Sequence, residues 1–145
     1  MPRFAKGKFT PKNPKKYVGK VKPTYRSSWE QRFMNFCDTN PAITQWVSES
    51  IKIPYIDPFS GKRRNYIPDF LIQYVDKFGK EHTELIEIKP RQQTSLKEAG
   101  RSKHAQKAAI LNEAKWKSAV VFCQRVNIEF RILTEDDLFF NGKNK

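Results

Sequence analysis

Helix, three strands, helix, strand, strand: this order of elements predicts one α/β domain, a mixed central sheet flanked by helices. Three observations carry the prediction. An apolar stripe at helical spacing opens the folded part, at Trp29, Phe33, Phe36 and Cys37. Two strand-like runs then flank a short turn containing Gly79, and a long alanine-rich stretch precedes the last apolar runs. The 145 residues suffice for one hydrophobic core but not comfortably for two.

Residues 1–26 read as an extended basic arm. From Met1 to Trp29 there are nine Lys or Arg residues and no acid, whereas the rest of the chain holds 19 bases against 15 acids. Pro2, Pro11, Pro14 and Pro23 forbid a regular helix there. Phe4, Phe9, Tyr17 and Tyr25 lie between the bases, a composition suited to tracking phosphates or docking on a protein surface. The domain itself is expected over residues 27–140, and residues 141–145 as a flexible tail.

"SSWEQRFMNFCD" starts the first helix and Asn40-Pro41 ends it. "SESIKIPYI", with Ile51 and Ile53 alternating against Lys52, predicts a strand up to Pro54, and "DPFSGKRRN" a turn with a basic tip. Residues 65–75 and 80–89 are the next two strands. "RQQTSLKEAGRSK" reads as a loop or lid, and "HAQKAAILNEAKW" as a helix by propensity. "AVVFC" and "IEFRILT" predict two more strands, and "TEDDLFF" a short capped turn of helix.

The net charge of +13 points to a polyanionic partner, most simply nucleic acid. The two cysteines, Cys37 and Cys123, lack the spacing of a zinc site or a disulfide framework and sit in apolar company, as core residues do. No apolar run has the length of a membrane span, and the N-terminus lacks a signal-peptide core, so no membrane partner is expected.

Charge within the two central strands is the main chemical signal. Asp69 interrupts Ile67, Phe70, Leu71 and Ile72; Glu87 sits between Ile86 and Ile88; Lys89 follows. A three-residue loop Lys77-Phe78-Gly79 centres a hairpin on Phe78, which places Asp69 opposite Glu87 on one sheet face. Period-two alternation adds Lys89 to that face. Two adjacent carboxylates repel unless a cation lies between them. A cross-strand salt bridge to Lys89 is one solution, and a hard cation such as Mg²⁺, which takes one or two carboxylates and keeps its waters, is another. The second suits phosphodiester hydrolysis, with Lys89 orienting the attacking water or stabilising phosphate charge.

Pro68-Asp69, followed after an 18-residue step by Glu87-Ile88-Lys89, resembles the PD-(D/E)xK nuclease superfamily. The stretches "TYRSSWEQRFMNFCDTNPAITQW", "IPYIDPFSGKRRNYIPDFLI" and "FRILTEDDL" are similar to the head-completion nucleases of tailed phages, from about residue 15 to 138. The chain is also similar to the nuclease subunit of Tn7-type transposases, without that protein's second, DNA-binding domain. The resemblance implies a restriction-endonuclease-like fold and a metal-dependent DNA endonuclease using Mg²⁺, or Mn²⁺ in its place. Asp69 and Glu87 would be ligands and Lys89 catalytic. The family's helix acid would be Glu30, a third ligand; its position in Ser27-x-x-Glu30 equally suits a capping box. The resemblance further implies action on packaged DNA or its end in the host cytoplasm during assembly, near portal or head–neck proteins and within the virion. Many nucleases of this fold dimerise, so a monomer or a homodimer is compatible.

Arg63, Arg64, Arg91, Lys103 and Lys107 are candidate DNA contacts, and each is equally an ordinary solvated base. Gln106 is a candidate aid to Lys89, and Glu49 a fourth ligand or a plain surface acid. Three function classes stay open: a metal-dependent endonuclease, a nuclease fold serving as a structural DNA-end binder, and a basic nucleic-acid-binding module unrelated to nucleases.

Overall fold

A computed structural model describes residues 6–138. Its centre is a four-stranded mixed sheet. β3 (Ile43–Ser48), β6 (Phe70–Val75), β7 (Glu81–Ile88) and β8 (Glu129–Leu133) lie in the order β3-β6-β7-β8. The first two pairings are antiparallel and the third parallel. A parallel neighbour requires a crossover connection, and the helix α3 (Lys103–Val126) supplies it. The expected α/β fold with a mixed sheet is thereby present.

Alternation along the strands sends two sets of side chains to opposite faces. On one, α1 (Ser28–Thr39) buries Trp29, Phe33, Met34 and Cys37 against Trp46, Phe70, Ile72, Ile86 and Ile88. On the other, α3 brings Trp116, Ala119 and Cys123 onto Leu85. A hairpin of β4 (Ile53–Ile56) and β5 (Arg63–Tyr66) covers this second face with Ile53, Tyr55 and Tyr66. Both cysteines are buried and free.

Three expectations need correction, and one strand was missed. "AVVFC" is not a strand: Trp116, Ala119 and Cys123 extend the helical stripe begun by Ala105, Ala109 and Asn112, and Asn127 in the left-handed conformation (φ 59°) ends the helix. Burial at a spacing of three to four outweighs the β-propensity of Val120 and Val121, both exposed. The strand β3 was not legible because a bulge between Ile43 and Gln45 destroys its period-two pattern. Residues 65–75 form parts of two strands, broken at Ile67-Pro68-Asp69. The polar stretch after Pro90 contains a 3-10 turn at Arg91–Gln93 and the short helix α2 (Leu96–Ala99), and Asn112 Nδ2 donates to the Gln93 carbonyl at 3.0 Å.

The basic leader, from residue 6 onward, lies along the domain instead of standing apart from it. β1 (Gly7–Lys8) pairs with β2 (Thr24–Tyr25), and the Phe9 and Tyr17 rings pack edge-on against Trp46. Buried Asp38 accepts from the Lys12 and Asn13 amides at 2.9 and 3.0 Å. Lys16 Nζ donates to the Asp38 and Asn40 carbonyls at the end of α1, where a cation also complements the helix dipole. Residues 1–5, including Phe4, and 139–145 lie outside the described residues, so the expected tail and the last residues of "TEDDLFF" do too. The visible part of that motif is α4 (Glu135–Leu138).

Candidate active site

The β6–β7 hairpin sets the geometry. Its loop is Lys77-Phe78-Gly79, with Gly79 at φ 82° and Asp76 Oδ1 accepting from the Phe78 and Lys80 amides. Phe70 pairs with Ile86 and Val75 with Glu81. One step further, this register puts Asp69 across from Glu87. The side chains interlock: the Asp69 amide donates to Glu87 Oε1 at 3.3 Å, and the Ile88 amide to Asp69 Oδ2 at 2.7 Å. Lys89 Nζ stands 3.7 Å from Glu87 Oε2. Pro68, fully buried, holds the chain extended as it enters β6.

Glu87 is only 4% exposed. Burial raises its pKa, against the opposing pull of Lys89, a Tyr66 interaction and Lys115. Asp69 is pushed well above the ordinary carboxylate range, first by desolvation and then by the Glu87 charge. Among the described residues, Lys89 is thus the lysine ion-paired with this crowded pair of acids. Two orphaned polar atoms stand on the same side of the sheet: Tyr66 Oη and Trp116 Nε1 are buried without a hydrogen-bond partner. Burial raises the pKa of the Tyr66 hydroxyl, and the nearby Glu87 charge adds to that rise.

Glu30 performs the local task open to it, with one difference. The Ser27 hydroxyl accepts from the Glu30 amide at 3.2 Å, while the Glu30 carboxylate accepts from the amide of Arg26, not of Ser27, at 3.1 Å. Its pKa is raised by burial and it feels Glu49 and Lys89, so it borders the site. Among the described residues, however, no three His, Cys, Asp or Glu side chains gather closely enough for a metal centre. Glu49 pairs with the Arg26 guanidinium, and its amide donates to the Asp69 carbonyl at 3.0 Å. The donor set that remains, two facing carboxylates with a lysine beside them, suits a hard cation that retains water.

The candidate DNA contacts divide. Arg63, Lys103 and Lys107 are exposed, Lys107 lying 5.3 Å from the Phe59 ring centre. Arg64 pairs with Asp57 at 3.0 Å. Arg91 is committed to the C-terminal elements: its amide donates to Glu135 at 2.6 Å and its guanidinium to Asp136 at 2.8 Å. Gln106 Nε2 donates to the Gly100 carbonyl at 2.6 Å, a bond that ties the start of α3 to the preceding turn. Sequence reasoning missed Lys115, whose charge reaches Glu87 and Asp69 from α3. Within "NEAKWK" nothing distinguishes it from an ordinary helix lysine.

A mixed sheet with an acid pair and lysine on its central hairpin is an architecture compatible with a nuclease, and similarity to known proteins defines the class. The family model described as TnsA-like endonuclease N terminal matches residues 40–135, and the chain belongs to that family. It is also 41% identical over 142 residues to the head completion nuclease of Enterobacteria phage T4, an alignment covering 91% of this chain and 92% of that one. Among the described residues no helix is long and apolar enough to cross a membrane.

Proposed function

We propose that this protein is a metal-dependent DNA endonuclease of the PD-(D/E)xK type, acting in phage head completion on packaged DNA or its end. The observation that carries the chemistry is the Asp69–Glu87 pair, locked face to face by two backbone hydrogen bonds with Lys89 3.7 Å from Glu87. The biological setting rests on the 41% identity to a head completion nuclease. It implies assembly in the host cytoplasm, contact with portal or head–neck proteins and a place in the virion, as monomer or homodimer.

Asp69 and Glu87 would hold Mg²⁺, or Mn²⁺ in its place, with Glu30 an outer carboxylate. A bound divalent ion would polarise the scissile phosphate and acidify a water. The chain's own groups do the rest. The Ile88 amide fixes Asp69 Oδ2, the Asp69 amide fixes Glu87 Oε1, and each carboxylate keeps a second oxygen for another partner. Lys89, with Nζ 3.7 Å from Glu87, would orient the attacking water and offset charge on the phosphate oxygens. Exposed Arg63, Lys103 and Lys107 supply backbone contacts.

A second reading, a DNA-end binder without turnover, draws on the lack of a three-acid cluster among the described residues. Cleavage of plasmid and linear duplex in Mg²⁺, Mn²⁺ or EDTA separates the two. The endonuclease reading expects metal-dependent nicking that Asp69→Ala and Lys89→Ala abolish while DNA binding persists. Folded wild type that binds DNA but leaves it intact in every metal would favour the binder.

A further inference from the structure

Lys115 is the side chain near the acid pair that the mechanism above leaves without a task. It projects from the middle of α3 onto the β4–β5 hairpin, with Nζ 6.0 Å from the ring centre of Tyr55 and 5.7 Å from that of Tyr66. Tyr66 is 3% exposed, so this shelf is fixed. The ammonium is half-buried; burial and the neighbouring Lys89 charge lower its pKa, against the attraction of Glu87, Asp57 and Asp69. Asp57 is nevertheless occupied by Arg64, Glu87 by Lys89, and Asp69 by the Ile88 amide. A rigidly seated cation, aimed at an acidic site but ion-paired with none of its acids, has spare capacity for another anion. Two aromatic faces attract the ammonium without carrying a formal charge that would neutralise it.

We propose that Lys115 is a phosphate-binding residue of this site, gripping the DNA backbone beside the Asp69–Glu87 pair. The inference rests on the nuclease reading for the identity of the anion. Lys107 rests on Phe59 in the same manner, two helical turns earlier and toward the hairpin tip. Both lysines therefore occupy the seam where α3 meets the hairpin, and a strand following that seam reaches the carboxylates.

The test measures binding of a short blunt duplex by the full chain in EDTA across salt concentrations, for wild type, Lys115→Met, Lys115→Arg and Lys117→Met. Lys117 pairs with Glu113 at the surface of α3 and controls for simple loss of charge. One lost phosphate contact makes the slope of log affinity against log salt shallower by about 0.9 and weakens binding about 3–10-fold near 0.1 M salt. Lys115→Met should show both changes with an unaltered melting temperature, Lys115→Arg neither, and Lys117→Met neither. Equal changes in Lys115→Met and Lys117→Met, or none in Lys115→Met, would overturn the assignment. Cleavage in Mg²⁺, run alongside, keeps the two ideas apart. Inactive wild type with a shallow Lys115→Met slope rejects turnover and keeps the phosphate contact. Active wild type with an unchanged Lys115→Met slope does the reverse.

Discussion

β7 carries two buried glutamates three positions apart, and they live in opposite circumstances. Glu84, 3% exposed, lies on the α1 side with every need met: it accepts from Tyr74 Oη at 2.6 Å and is paired with Arg131 at 3.4 Å. Glu87, 4% exposed, lies on the α3 side facing a second acid, with Lys89 at 3.7 Å and an orphaned tyrosine hydroxyl nearby. Burial alone therefore does not mark a functional carboxylate. What marks Glu87 is crowding by a like charge without full compensation, an arrangement that lowers stability unless a ligand relieves it. Both sides of the sheet carry a hydrophobic core, and only the α3 side adds a crowded acid pair to it.

Substitutions at the two acids should separate these roles, and the largest effect is on turnover. Asp69→Asn or Lys89→Ala should lower cleavage in Mg²⁺ by about a hundredfold or more, measured as initial nicking rate. Glu84→Ala should leave the rate per folded molecule unchanged but reduce unfolding free energy by about 1–3 kcal/mol in urea titration, because Tyr74 loses its acceptor. Equal rate losses at Glu84 and Asp69 would erase the distinction drawn here.

The crowded pair also predicts an inverted pH response. Asp69 and Glu87 have folded pKa values raised above their unfolded ones, so the folded state holds protons that the unfolded chain releases. Their contribution to stability is full below an unfolded value of about 4 and is lost as pH rises through the folded values. In EDTA, the pair should pull the melting temperature down as pH rises above about 4, and Asp69→Asn should flatten that decline. A steeper decline in Asp69→Asn would mean that the pair is not in conflict. Arg26→Ala, which breaks a largely exposed pair with Glu49, should shift stability by less than about 1 kcal/mol, by the same urea titration.

The acid pair was legible in the sequence for a definite reason. A three-residue loop with glycine in the left-handed position fixes hairpin register, and register fixes which residues face each other. Asp69 and Glu87 could thus be paired from spacing alone. β3 was hidden because its bulge removes the alternation by which a strand is recognised. The second half of α3 was hidden because valines that favour strands were placed on its exposed side. The leader's docking onto Trp46 and Asp38 depends on partners up to 37 residues away, a tertiary choice that composition does not record. Lys115 illustrates the same limit: its role near the site arises from where α3 crosses the hairpin.

If Asp69 and Glu87 form a cation site, thermal stability should depend on metal. Mg²⁺ or Mn²⁺ added to wild type above neutral pH should raise the melting temperature relative to EDTA, because a ligand bound by the folded state alone stabilises it. The rise should vanish in Asp69→Asn and persist in Glu84→Gln. An equal rise in Asp69→Asn, or none in wild type, would contradict a cation site there.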